Sequence, residues 1–238
     1  MYFRSRCSSL LLITALAAYV SATIACLWHD PWLVAALLLP ATALLVRCCD
    51  DPGTGSILAL SGAAIGPLTE SVSVVGSIWS YAETGGLPLI PPWNLPLWAC
   101  VPPALVLIIG EAKATRPSDV SHGMLAIGGI ALELALFLAF YDRTWIALPG
   151  ALVLAAMALA LFPARETLIC FTAGGILGPM CEAPGIAAGA WSYSNPEILG
   201  FPAWLPAGYA VFAALLFQSA LFFAGQFGRI SGRIGKRP

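Results

Sequence analysis

The sequence predicts an all-α integral membrane bundle of eight transmembrane helices, built as two parallel four-helix repeats. Three observations carry that expectation. The 238 residues are 59% hydrophobic and only 10% charged, against about 25% charged for a soluble domain. The apolar residues gather into eight runs near the ~17–25 residues needed to cross a bilayer. A block of rare residues recurs at a constant spacing of 112.

The spans are read as Leu10–Leu27, Trp32–Val46, Gly55–Ile78, Leu95–Gly110, Met124–Tyr141, Trp145–Phe162, Thr167–Ala190 and Leu205–Phe227. The second and fourth are short. The fourth carries Pro102-Pro103, which a span tolerates when its neighbours satisfy the freed carbonyls. The first span follows Arg4 and Arg6 like a signal peptide. It lacks a small-x-small cleavage site, and the repeat needs it, so it is expected to be retained.

Basic residues set the expected orientation. With a cytoplasmic N-terminus, the cytoplasmic segments hold Arg4, Arg6, Arg47, Lys113, Arg116, Arg165, Arg229, Arg233, Lys236 and Arg237, and the outer loops only Arg143. This positive-inside bias places both termini in the cytoplasm, in a cell membrane that is expected to be a bacterial inner membrane. A net charge of −1 argues against nucleic-acid binding. No zinc spacing, phosphate loop or nucleophile elbow occurs, so no metal or cofactor is expected. Seven cysteines scattered through apolar runs read as small buried hydrophobes rather than a disulfide framework.

The repeat divides the chain into residues 1–118 and 119–238. Gly62, Gly66-Pro67, Glu70 and Trp79-Ser80-Tyr81 match Gly174, Gly178-Pro179, Glu182 and Trp191-Ser192-Tyr193, all 112 apart, as are Asp30 and Asp142. After the signature, a two-residue gap aligns Leu95-Pro96 with Leu205-Pro206. An even number of spans per unit makes the repeat parallel, with a pseudo-twofold along the membrane normal.

Helical spacing places Gly62, Gly66, Glu70, Ser73 and Ser77 on one face, and Gly174, Gly178, Glu182, Gly185 and Gly189 on another. The glycines read as helix-packing seams. Ionising Glu70 or Glu182 in hydrocarbon costs several kcal/mol, so each is expected to be neutral and hydrogen-bonded, or to share a proton with the other. Glu133, mid-span in the fifth helix, has Ser21 as its counterpart and breaks the symmetry. Trp79, Tyr81, Trp191 and Tyr193 fall where spans end, either as interfacial aromatics or as parts of the site. The proline-rich loops behind them read as embedded lids, with Trp93, Trp98 and Trp204 as aromatics and Asn94 and Asn195 as polar contacts.

The second copy, Glu182-x6-Gly189-Ala-Trp191-Ser-Tyr193 followed by Gly200-Phe-Pro202-Ala-Trp-Leu-Pro206-Ala-Gly-Tyr209, resembles a group of bacterial polytopic membrane proteins with the same duplicated pattern. It is also distantly similar to the membrane hydratases of carotenoid biosynthesis. In those the aromatic element lies two residues further from the glutamate, and tryptophan stands at the place of Tyr209. The resemblance covers about thirty residues per copy, and the first copy is the weaker match, with Ser77 in place of Gly189. It implies acid chemistry on an isoprenoid or carotenoid-type lipid.

Three functions remain open from the sequence. One is a membrane enzyme in which Glu182 is the acid, Glu70 its partner, and Trp79, Tyr81, Trp191, Tyr193, Asn94, Asn195 and Trp204 shape the substrate pocket. The others are a small transporter or lipid exporter with proton-coupling glutamates, and a non-catalytic scaffold. The expected partners are the bilayer and an apolar lipid. A lipid-sized cavity beside the glutamates would exclude the scaffold, and a water path between the two faces would favour the transporter.

Overall fold

The computed structural model describes residues 6–110 and 120–234, with side chains for 8–110 and 120–227. Its elements are α1 (Arg6–Leu27), α2 (Pro31–Cys48), α3 (Pro52–Val75), β1 (Trp79–Tyr81), α4 (Asn94–Ile109), α5 (Val120–Phe140), α6 (Thr144–Leu161), α7 (Ala164–Ala187), β2 (Trp191–Tyr193) and α8 (Leu205–Ile234). Three helices, a short strand and a helix thus occur twice. Seven helices are long and apolar enough to span a membrane, and α4, with 16 residues, is a shorter apolar helix. The molecule is an all-α helical membrane bundle, as its composition predicts.

Local chemistry fixes the helix ends. Asp30 caps α2 by accepting the Leu33 amide (3.1 Å), and Asp51 caps α3 by accepting those of Gly53 and Thr54 (3.2 and 2.9 Å). A proline follows each cap, at a position where the missing N–H costs nothing. Asp142 does not repeat the role of Asp30. Helix α6 is entered through Arg143 without a side-chain cap, and Thr144 bonds Glu197 instead.

Helices α3 and α7 end alike, and here the structure corrects the sequence reading. Ser77 and Gly189 do not continue a helical face. Both lie past the helix end at positive φ (60° and 82°). The chain turns there, with Ile78 N–H donating to the Ser73 carbonyl and Ala190 N–H to that of Gly185. This turn releases each Trp-Ser-Tyr segment as an extended strand.

The strands pair antiparallel with Trp79 opposite Tyr193, Ser80 opposite Ser192 and Tyr81 opposite Trp191. Amide bonds from Ala82 to Ala190 O and from Ser194 to Ile78 O (both 2.9 Å) extend the pairing. An all-helix reading missed this two-stranded sheet, which ties the two signature segments together.

Helix α8 is the most buried span. It packs on α7, α5, α3 and α6, while α3 packs on α4. The perimeter exposes large apolar side chains, among them Leu11, Leu39, Leu60, Leu132, Leu152 and Met180. A soluble surface does not carry so many, and hydrocarbon accommodates them. No disulfide forms among the described cysteines. Of the basic residues in the charge argument, Arg4, Lys113, Arg116, Lys236 and Arg237 lie outside the described residues.

Candidate functional site

Each Trp-Ser-Tyr strand places its two aromatics on one face, because side chains alternate along a strand. That face meets the glutamate of the same copy. Trp79 Nε1 (3.1 Å) and Tyr81 OH (2.6 Å) both donate to Glu70 Oε2. Trp191 Nε1 (2.7 Å) and Tyr193 OH (3.2 Å) both donate to Glu182 Oε2. The serines between them face outward.

A third donor reaches the other oxygen of each carboxyl. Trp98 Nε1 donates to Glu70 Oε1 (3.2 Å), and Tyr209 OH donates to Glu182 Oε1. Neither donor was among the sequence-predicted site residues. Trp98 lies in α4, not in the loop before it.

The glycine seams create the room for these donors. A Cβ on Gly66 would stand 2.1 Å from the Trp98 ring, and one on Gly178 would stand 2.4 Å from that of Tyr209. Gly62 faces the Trp98 carbonyl and Gly174 that of Tyr209. Trp98 and Tyr209 are therefore equivalent, 111 residues apart, as are Trp93 and Trp204. The two-residue gap expected after the signature is a single residue. The sequence signal was present in an aromatic packed over each Gly-x3-Gly pair, but the wrong gap concealed it.

Glu70 is 7% exposed, and Glu182 is partly buried. Around them the strand aromatics and Trp93 form one cluster. Ring centroids are 5.5 Å apart for Trp79–Tyr193, 6.2 Å for Tyr81–Trp191, 5.6 Å for Tyr81–Trp93 and 6.0 Å for Trp93–Trp191. Asn94, fully buried, donates to Tyr81 OH (3.2 Å) and so supports the Glu70 network from behind.

Two predicted residues play other parts. Asn195 sits partly exposed beyond β2 and bonds neither carboxyl network. Trp204 commits its N–H to the Tyr141 carbonyl (3.0 Å) and stacks on Phe137, with centroids 4.1 Å apart. It contributes a wall rather than a donor.

Both glutamates line a cavity of about 200 Å³ between α1, α4, α7 and α8. Its lining is almost wholly apolar, including Val20, Ile24, Leu97, Ala104 and Leu177. The Trp93 indole N–H, buried and without a hydrogen-bond partner, belongs to the same lining. Trp98, Tyr81, Trp191 and Tyr209 complete the wall around the carboxyls. No group of three or more potential metal ligands occurs among the described residues.

Lone-pair arithmetic indicates what these carboxyls can do. Two oxygens offer about four acceptor sites, and protein donors fill three on each glutamate. One site on each Oε1 is left for a proton or for a ligand.

The chain aligns with the crystal structure of a mycobacterial Insig homologue, MvINS from Mycobacterium vanbaalenii. The TM-score is 0.61 at 17% identity, over 78% of this chain and 96% of that one. It aligns equally well with a cross-linked trimer of the same protein, at 16% identity. The chain has the fold of an Insig homologue. At this identity the likeness concerns the fold alone. No protein-family model matches the sequence, and no curated protein matches it.

Proposed function

We propose that the chain is a membrane enzyme acting on an apolar isoprenoid or carotenoid-type lipid by carboxylic-acid catalysis. The observation that carries this reading is the pairing of a largely apolar cavity with two carboxyls, each holding three protein donors and one open site. Glu182 is the acid and Glu70 its partner. The motif resemblance to carotenoid hydratases points to the same chemistry.

In the proposed step the Glu182 Oε1–H bond breaks. The π electrons of a carbon–carbon double bond form a new C–H bond with that proton, leaving a carbocation. The three donors stabilise the resulting carboxylate, and the ring faces of Tyr81, Trp93 and Trp191 stabilise the cation. Addition of water with loss of its extra proton to the carboxylate completes hydration, and loss of a neighbouring C–H proton to the carboxylate completes isomerisation. Attack by a second double bond gives a cyclic carbocation, and the same loss of a C–H proton to the carboxylate completes cyclisation and restores the acid.

The two halves act as one four-helix unit and its copy, divided near residue 118. In this reading both termini face the cytoplasm from a bacterial inner membrane, as the bias of basic residues favours, and the paired strands lie at the outer leaflet. The cavity leaves a purely structural scaffold without a reason for its form. A transporter would instead require a water path to both faces.

Turnover is read in D2O. Membranes carrying the protein are incubated with a polyisoprenoid mixture, and the lipids are analysed by mass spectrometry. Wild type is expected to place deuterium on carbon. Glu182→Gln should fold normally and lose that incorporation by about 10²–10⁴-fold. Deuterated product from the variant at the wild-type rate would remove the proton-donor role.

A further inference from the structure

A second cavity, of about 80 Å³, lies between α3, α5 and α8. It shares the wall formed by Glu70, Trp98, Tyr209 and Phe212 with the first cavity. Glu133 of α5 lines it, 3% exposed, and neither of its carboxyl oxygens has a hydrogen-bond partner. Ser73 and Tyr193 line the same space. In the other copy, Ser21 stands at the position of Glu133 and satisfies itself on the Ala17 carbonyl (2.9 Å). The carboxyl in the second half is therefore an addition that its surroundings do not satisfy.

A buried polar group left without a partner keeps the cost of its desolvation with nothing to offset it. The void beside Glu133 is too large to be a packing flaw, since a water needs only ~10–15 Å³ of such space together with two to four polar partners. The two carboxyl oxygens of Glu133 and the Ser73 hydroxyl provide those partners. A divalent cation is disfavoured. Glu70 already receives three donors, so the cavity presents no second free carboxylate to balance a double charge. What the space can hold is a group that both donates and accepts.

We propose that the Glu133 cavity is a binding site for a hydroxyl group, either water or the alcohol end of a lipid, held between Glu133 and Ser73. This site stands whether or not the first cavity houses an enzyme.

The test is infrared difference spectroscopy of the full chain in hydrated lipid films, comparing wild type with Glu133→Gln to identify the Glu133 carboxyl C=O band. The expected band lies at the frequency of a hydrogen-bonded carboxyl. Drying shifts it towards the free-carboxyl frequency if the occupant is water. Exchange of native lipid for detergent shifts it if the occupant is a lipid alcohol. A band at the free-carboxyl frequency in the hydrated native film overturns the proposal. So does the absence of any carboxyl band assignable to Glu133, which would mean an ionised group paired with a cation.

Discussion

Glu70 and Glu182 hold equivalent positions, yet their third donors differ. Trp98 offers an indole N–H to the first, and Tyr209 a hydroxyl to the second. A phenol can both donate and accept, so it can follow the carboxyl through loss and gain of a proton, whereas an indole only donates. This difference supports assigning the acid role to Glu182. Removing the hydroxyl in Tyr209→Phe leaves Glu182 Oε1 without its protein donor. That variant is expected to lose about 1–3 kcal/mol of stability, read as a lower unfolding temperature in lipid discs. An unchanged temperature would show that Tyr209 does not hold the carboxyl.

Much at this scale was legible in the sequence. The glutamates and the Trp-x-Tyr pairs were found because rare residues recurred at fixed spacing, and Asn94 was found as a polar residue in a proline-rich apolar loop. Trp98 and Tyr209 were missed because their loops differ in length by one residue, and a wrong gap hid their equivalence. Asn195 was a false expectation, since its loop carries it away from both carboxyls.

The turn after α3 and α7 shows how elements place these side chains. Each helix must stop and reverse within about three residues to bring Trp and Tyr back onto a glutamate nine to eleven positions earlier. Gly189 adopts the required positive φ freely, but Ser77 does so against a left-handed cost of about 1–2 kcal/mol. Ser77→Gly is therefore expected to raise stability by up to about 1 kcal/mol and Gly189→Ala to lower it by about 1 kcal/mol, both measured by thermal unfolding. Equal signs for the two would contradict an equivalent turn.

Period-two spacing of aromatics was the available signal for a strand. It went unread because a three-residue element bounded by long helices is too short to show alternation.

The loop after β2 has its own clasp. Glu197 accepts the Thr144 hydroxyl (2.6 Å) and the Ala203 amide (2.9 Å). These bonds, the Thr144 hydroxyl first, hold its carboxyl below the ordinary glutamate range. A depressed folded value means that the clasp is fully formed above the ordinary range and is lost as pH falls through the folded value. The Ala203 amide resonance is expected to titrate at a pH below that of a free glutamate. Titration at or above the ordinary value would mean that the clasp is absent in solution.

For the whole molecule, hydropathy and repeat spacing foretold a helical membrane bundle because a bilayer permits few alternatives. The pairing of the two strands was not legible. It depends on long-range contact between segments that are 112 residues apart. That contact gathers both carboxyls, four of their six donors and Trp93 around one apolar space, with Trp79 and Tyr193 lining the neighbouring cavity, so the site belongs to neither half alone.

The central claim is that this space holds an apolar lipid beside Glu70 and Glu182. The direct measurement is mass spectrometry of lipids extracted from the purified protein, comparing wild type with Ala104→Trp, which fills the cavity without touching either carboxyl network. The account predicts an isoprenoid-type lipid enriched in the wild type and lost from the variant. Identical lipid profiles for the two proteins, matching the bulk membrane, would contradict it.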